Sequence, residues 1–238
     1  YWRKGEKAFN DKFMPYIERD VESLASNTIW GSDHHQFDFF ALDSRGKLVR
    51  LWLTIWMDRR SRQVVGVMVS TQPNQDVVLA SFARGVWKYG IPDHVHIDNG
   101  KDYRSKALFE IDKEYIYSLA KTLNVIPHFA IPYNAKSKPE ERVFETFEEH
   151  LGKLFDSYCG NKPDNMPERA KQLFKNAKPG DTPTIEQVDY LVQRYFEDWY
   201  NERPHSGRGM NNRPPREVYN ENLEKKRIAP EGVLRILL

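Results

Sequence analysis

Three acidic residues stand where metal chemistry could use them: Asp33 within an apolar, aromatic stretch, Asp98 at the end of the run His94-Val95-His96-Ile97, and one of the glutamates that follow Pro139. Magnesium takes oxygen ligands and keeps positions open for water and substrate phosphate, so two or three convergent carboxylates suit it. Two such ions about 4 Å apart activate an attacking oxygen and stabilise a leaving one during in-line displacement at phosphorus. Each residue also has a plainer role. Asp98 followed by Asn99-Gly100 forms turns readily, and a helix rich in Glu presents a solvated face. Asp33 is harder to explain that way, because a carboxylate inside an apolar strand is costly to desolvate unless it is paired, hydrogen-bonded or metal-bound. No Ser-His-Asp arrangement is evident and the single cysteine, Cys159, lies in a polar stretch, so no protein nucleophile is expected. His34-His35 and His94-Val95-His96 lack the full ligand sets of structural zinc, and zinc is not expected.

Positioning these residues requires an α/β fold. Phe9, Phe13, Ile17 and Val21 recur every four positions, which predicts an amphipathic helix over residues 6–24. A strand over 29–42, turn residues Asp43-Ser44-Arg45-Gly46, a strand over 48–57, a turn over 58–62 and a β-branched strand over 64–69 read as an antiparallel meander. Asn74 caps a helix over 75–89 that Gly90-Ile91-Pro92 ends. A strand over 94–98, a helix over 105–123 and a strand over 125–130 alternate as parallel units do, which makes a five-stranded sheet mixed. A helix over 139–155 carries the stripe Val143, Phe147, Leu151 and Leu154, and helices over 184–200 and 215–224 follow. At about 100° per residue Glu140 falls in line with that stripe and Glu141 lies to its side. Trp52, Trp56, Phe37 and Phe39 are spaced as core-facing strand residues and are expected to be core rather than a base-stacking surface.

The 238 residues are 39% hydrophobic and 13% aromatic, enough to bury a core, which excludes a disordered chain. No run of about 18 apolar residues exists, so no membrane-spanning helix is expected. One cysteine makes an internal disulfide impossible and suits a reducing, cytoplasmic setting. With 36 Lys plus Arg against 34 Asp plus Glu, any nucleic-acid-binding surface must be local. The chain opens at Tyr1 without a signal or transit profile, and residues 233–238 read as a strand that stops abruptly; an excised fragment with a further domain following is the expectation.

Trp30-Gly31-Ser32-Asp33, Asp58-Arg59-Arg60-Ser61-Arg62 leading to Val65-Gly66, His96-Ile97-Asp98-Asn99-Gly100 and Lys138-Pro139-Glu140-Glu141-Arg142 occur in the order of an integrase catalytic core. Over residues 29–154 the chain resembles the DDE transposases of the retroviral integrase superfamily. Within that group it is most similar to the phage Mu transposase type, whose third acidic residue lies in a Lys-Pro-x-Glu-Arg context. Trp199-Tyr200-Asn201-Glu202-Arg203-Pro204-His205 and Pro214-Pro215-Arg216-Glu217-Val218-Tyr219 also recur in bacterial transposases.

The resemblance implies an RNase H-like mixed five-stranded sheet flanked by helices. The expected division is an N-terminal helical linker over 1–28, a catalytic core over 29–158, a helical extension over 159–230 and the start of a truncated C-terminal domain over 231–238. It also implies a catalytic and metal-holding triad of Asp33, Asp98 and Glu141, using two Mg²⁺ ions with Mn²⁺ as substitute. Because 42 residues separate Asp98 from Glu141, more than in the retroviral pattern, Glu140 and Glu145 stay open as alternatives. Asn99, Lys101, Arg104, Lys136, Lys138, Arg142, Arg203, His205 and Arg208 are candidates for DNA contact. The activity implied is metal-dependent cleavage at element ends and transfer of the 3′-hydroxyl into target DNA, by a bacterial or phage-encoded protein. Expected partners are double-stranded DNA, further copies of the chain assembled on it and an accessory target-selection protein. The rival readings are a nuclease of the same fold without strand joining and a catalytically idle DNA-binding or assembly module.

Overall fold

The computed structural model describes residues 20–97, 123–129, 139–160, 167–168, 171 and 182–230. Asp98, Asn99, Lys101, Arg104, Lys136 and Lys138 lie outside the described residues, as do most of the helices expected over 6–24 and 105–123 and the strand expected over 233–238.

The meander forms as β1 (Ile29–Gln36), β4 (Trp52–Asp58) and β5 (Val64–Ser70), with β2 (Ala41–Leu42) and β3 (Leu48–Val49) as a separate two-stranded ribbon. After α1 (Gln75–Tyr89), β6 (His94–Ile97) pairs parallel with β1 and β7 (Ile126–Phe129) parallel with β6. The sheet order is β5-β4-β1-β6-β7, which puts β1 in the middle. The Asn74 side chain accepts from the Val77 N–H at 2.9 Å, and Gly90, at φ 90°, closes the far end of α1.

The strand expected over 29–42 is interrupted after Gln36. Arg50 Nε donates to the Phe37 carbonyl at 2.6 Å, and Glu148 Oε1 accepts from the Asp38 N–H at 3.0 Å. Side chains thus take backbone groups that a continuing ladder would have used. The helix after Pro139, α2 (Pro139–His150), ends earlier than expected and tightens into a 3₁₀ turn over Gly152–Leu154. Leu154, placed in the apolar stripe by its spacing, is 74% exposed there. Phe37, Phe39 and Trp56 are buried as expected, whereas Trp52 is only partly so.

The sheet separates two cores. Trp30, Trp56, Phe82, Val86, Val95 and Ile97 pack on the α1 side. Phe37, Ile55, Met57, Val67, Val143 and Phe147 pack on the other, joined by Val188 and Val192 of α3 (Ile185–Arg194) and by Phe196. The helix expected to reach residue 200 changes pitch instead, through a π turn over Tyr195–Trp199 and a 3₁₀ turn over Tyr200–Glu202. That change carries Asn201 to the outer edge of β5. Its fully buried side chain accepts from the Val64 N–H at 3.0 Å and donates to the Val64 carbonyl at 2.9 Å. At the far end of the extension, α4 (Pro215–Glu221) brings the Tyr219 hydroxyl to Asn27 and to the Tyr89 carbonyl, each at 3.0 Å.

Replacing Asn201 with Ala leaves both Val64 groups unsatisfied in a buried position, and a loss of about 2–4 kcal/mol is expected. Urea denaturation measures it; a loss below about 1 kcal/mol would mean that water takes over the edge.

Candidate active site

Strand alternation divides β1 between the two cores. Trp30 packs edge-on against Phe82 of α1, while Gly31, Asp33, His35 and Phe37 face α2. Helix and strand run in the same direction. Glu140 lies over Gly31, Phe144 stacks on His35 at 5.0 Å between ring centroids, and Phe147 stacks on Phe37 at 5.2 Å. Asp33 sits partly buried between the first two of these contacts, and its Oδ1 accepts the N–H of His34 at 2.9 Å.

On its other side β1 meets β6, with Gly31 opposite His96 and Ser32 opposite Ile97. Ser32 and Ile97 immediately precede Asp33 and Asp98 in the chain. Among the described residues no three His, Cys, Asp or Glu side chains gather in a metal-holding group, and Asp98 stands outside that set.

The two adjacent glutamates differ sharply. Glu140 is fully buried, as its place in line with the apolar stripe predicts, and its Oε1 lies 2.9 Å from Nη2 of Arg59. Arg59 Nη2 also lies 3.4 Å from Nδ1 of His96. A Cβ on Gly31 would collide with both the Glu140 carboxylate and the Arg59 guanidinium, so only glycine leaves room for the pair. Val143 and Phe147 turn toward β4 and β5, which leaves Glu141 and Glu145 exposed on the opposite flank of α2. Sequence reasoning missed Arg59 as a member of this region; the available signal was a glycine two positions before Asp33 in a strand otherwise built of larger residues.

The described basic candidates lie near the start of α2 and around Tyr200. Arg142 is exposed beside Glu141. Arg203 holds its guanidinium 4.4 Å over the Trp199 ring. His205 sets its ring edge-on against Tyr200 at 4.6 Å and brings Nε2 within 3.1 Å of the Tyr200 carbonyl. Burial, with Arg203 and Arg62 nearby, holds this imidazole below its usual pKa, so at neutral pH it offers hydrogen bonding rather than charge. Arg208 is exposed, 3.6 Å from Glu22.

Residues 25–135 match the family model of the integrase core domain. Over that stretch the chain is similar to integrase cores, and over more of its length it is similar to transposases. Its sheet is the RNase H-like one, a three-stranded meander followed by two parallel strands, with helices on both faces. The chain is 24% identical over 212 residues to the transposase for transposon Tn552 of Staphylococcus aureus, covering 85% of the chain and 39% of that protein. It is 23% identical over 220 residues to the Mu-like prophage FluMu transposase A of Haemophilus influenzae, covering 84% of the chain and 31% of that protein. The chain thus spans between 31% and 39% of the length of these curated relatives. Among solved structures, a chain of the simian T-cell lymphotropic virus intasome, in complex with the PP2A regulatory subunit B56 gamma, is 21% identical with a TM-score of 0.45; the match covers 74% of this chain and 57% of that one. The HTLV-2 integrase catalytic core domain in complex with magnesium is 18% identical with a TM-score of 0.40, covering 70% and 98%.

Arg59→Met alone strands a buried carboxylate and is expected to cost about 3–5 kcal/mol, while Arg59→Met combined with Glu140→Met restores most of that stability. Glu141→Gln, on the exposed flank, leaves the urea midpoint unchanged. A Glu141→Gln variant as unstable as Arg59→Met would reverse the roles given to the two glutamates.

Proposed function

We propose that this chain is the catalytic core of a DNA transposase, with Asp33, Asp98 and Glu141 as its metal-holding catalytic carboxylates. The supporting observation is the parallel register of β1 and β6, in which Ser32 and Ile97, the residues just before Asp33 and Asp98, face one another. Paired residues of parallel strands point to the same side, and alternation along β1 turns Asp33 to the face opposite that of Ser32 and Ile97. Glu141 is preferred over Glu140 because Arg59 already holds Glu140 in the interior, and over Glu145 because Glu145 lies a further turn along α2. The core runs over 29–158, preceded by a linker over 1–28 and followed by a helical extension over 159–230.

Three hard oxygen donors, with Asp33 at the partly open middle of the sheet, fit two magnesium ions, and Mn²⁺ shares that ligand preference. Bound there, the metal supplies Lewis-acid stabilisation of the charge that builds on phosphorus and on the attacking and leaving oxygens. The chain's own task is to place those oxygens in line. Asn99, Lys101, Arg104, Lys136, Lys138, Arg142, Arg203 and Arg208 hold backbone phosphates of element end and target, and His205 adds an uncharged contact. In strand transfer the 3′-oxygen of the element end forms a bond to a target phosphorus while that phosphorus loses its bond to the adjoining 3′-oxygen of the target strand. One phosphodiester replaces another, so no external energy source is needed. Copies of the chain assemble on the DNA, an accessory protein selects the target, and the setting is the cytoplasm.

A strand-transfer assay with labelled, precut duplex ends and Mg²⁺ tests this reading. Wild-type protein is expected to join ends. Asp33→Asn, Asp98→Asn and Glu141→Gln are each expected to lower cutting and joining by at least about 100-fold, or ~2.7 kcal/mol of transition-state stabilisation, while duplex binding persists. Cutting without joining would make the chain a nuclease, binding without either an assembly module, and joining retained by Asp98→Asn would refute the site.

A further inference from the structure

Three elements of the candidate site meet at the side chain of Arg59. This residue follows the end of β4, and its Nη2 lies 2.9 Å from Oε1 of Glu140 in α2 and 3.4 Å from Nδ1 of His96 in β6. With the Glu140 carboxylate, its guanidinium also fills the space that a Cβ on Gly31 of β1 would need. Glu140 directly precedes Glu141, and Gly31 stands two places before Asp33, so the contacts fall beside these carboxylates rather than on them.

The base from which Arg59 reaches is itself fixed. Its N–H donates to the Ile29 carbonyl, at the start of β1, at 2.9 Å. The preceding Asp58 is fully buried, and its carboxylate accepts from the Asn27 N–H at 2.8 Å and from the Ser61 N–H and hydroxyl at 2.9 and 2.6 Å. These bonds tie the turn after β4 to the entrance of β1.

Stability does not account for the arrangement. A buried ion pair is often no more stabilising than apolar residues of similar volume, and Glu140 Oε2 has no hydrogen-bond partner among the described residues. Glycine inside a strand weakens it as well. What the pair adds is direction. The apolar contacts of Phe144 and Phe147 are non-directional and tolerate some rotation of α2, whereas a buried carboxylate held by a fixed guanidinium does not. Glu141 lies about 100° around the helix from Glu140, so a clamp on Glu140 sets the bearing of Glu141. Turning a helix by about 20° swings a side-chain tip about 5–6 Å from its axis by roughly 2 Å, a whole magnesium–oxygen bond length.

We propose that Arg59 is a positioning residue: by holding Glu140 it sets the bearing of Glu141 relative to Asp33, and with it the affinity of the site for divalent metal. Arg59 acts through the seat of α2 and not by contact with metal or DNA. The inference rests on the reading of Asp33 and Glu141 as metal-holding carboxylates.

The double variant Arg59→Met with Glu140→Met separates position from stability, because an apolar pair keeps the helix packed and removes its directional contact. Calorimetric titration of the folded variant with Mn²⁺, in the absence of DNA, is expected to show about tenfold weaker binding than wild type, the size usual for outer partners of metal ligands. Strand joining by the same variant is expected to need about tenfold more Mg²⁺ for half its maximal rate, and to recover most of the wild-type rate at saturating metal. Arg59→Lys keeps a charge opposite Glu140 without the planar fork and is expected to fall between, about threefold weaker for Mn²⁺. Wild-type Mn²⁺ affinity in the folded double variant would overturn the positioning role and leave the carboxylate site standing. If the double variant does not fold, wild-type affinity in Arg59→Lys would overturn it instead. Glu141→Gln is the reference: unchanged Mn²⁺ affinity there would sink the carboxylate site, and the positioning role with it.

Discussion

β1 is hydrogen-bonded along both edges, antiparallel to β4 and parallel to β6, and this double pairing constrains everything around it. Because side chains alternate, a slip of one residue would exchange its two faces. Trp30 fills the α1 core, whereas Gly31 leaves the space that the Arg59–Glu140 pair occupies. A slipped strand would put indole where not even a methyl group fits, and so the register holds Asp33 toward α2. The same register places Ile97, and with it the end of β6, beside the middle of β1.

Above that strand, α2 is fixed by contacts of different chemistry along its length. The buried Arg59–Glu140 pair anchors its start, aromatic stacking on His35 and Phe37 its middle, and Glu148 its last turn. A buried ion pair adds little net stability, because desolvation opposes the attraction, but it penalises a helix seated one turn off. Glu148 bonds both His35 and the Asp38 N–H, each at 3.0 Å, while Arg50 meets Asp38 at 2.7 Å. Burial and the nearby Glu148 push the Asp38 carboxyl above its usual pKa, and Arg50 opposes them. The chain leaves the central strand through this charged corner, and the corner holds strand and helix together.

The helical extension completes the sheet. β5 is an outer strand, and side chains take backbone groups along its open edge: Asn201 at Val64, Arg84 at the Val67 carbonyl at 3.0 Å and Asp189 at the Val69 N–H at 3.1 Å. Arg84 and Asp189 are themselves an ion pair. An edge closed this way resists pairing with a second sheet, which is how soluble proteins protect exposed strands. The Trp-Tyr-Asn stretch over 199–201 therefore has a structural account independent of any DNA contact.

Local periodicity and turn chemistry were enough to find the meander, the bounds of α1 between Asn74 and Gly90, and the place of Glu140 in line with the apolar stripe of α2, since these depend on residues close in sequence. Asp33 stood out as a candidate too, because an acid in an apolar strand is conspicuous on composition alone. Other features were decided through space. The strand ends at Gln36 because Arg50 and Glu148, distant in sequence, take its next backbone groups, while Phe37 and Phe39 keep a strand's alternation. Arg59 belongs beneath the site because Gly31, His96 and Glu140 converge on it from three separate elements. Sequence patterns record which face of an element is apolar; which side chains meet across elements follows from register and packing, and only the folded chain sets those.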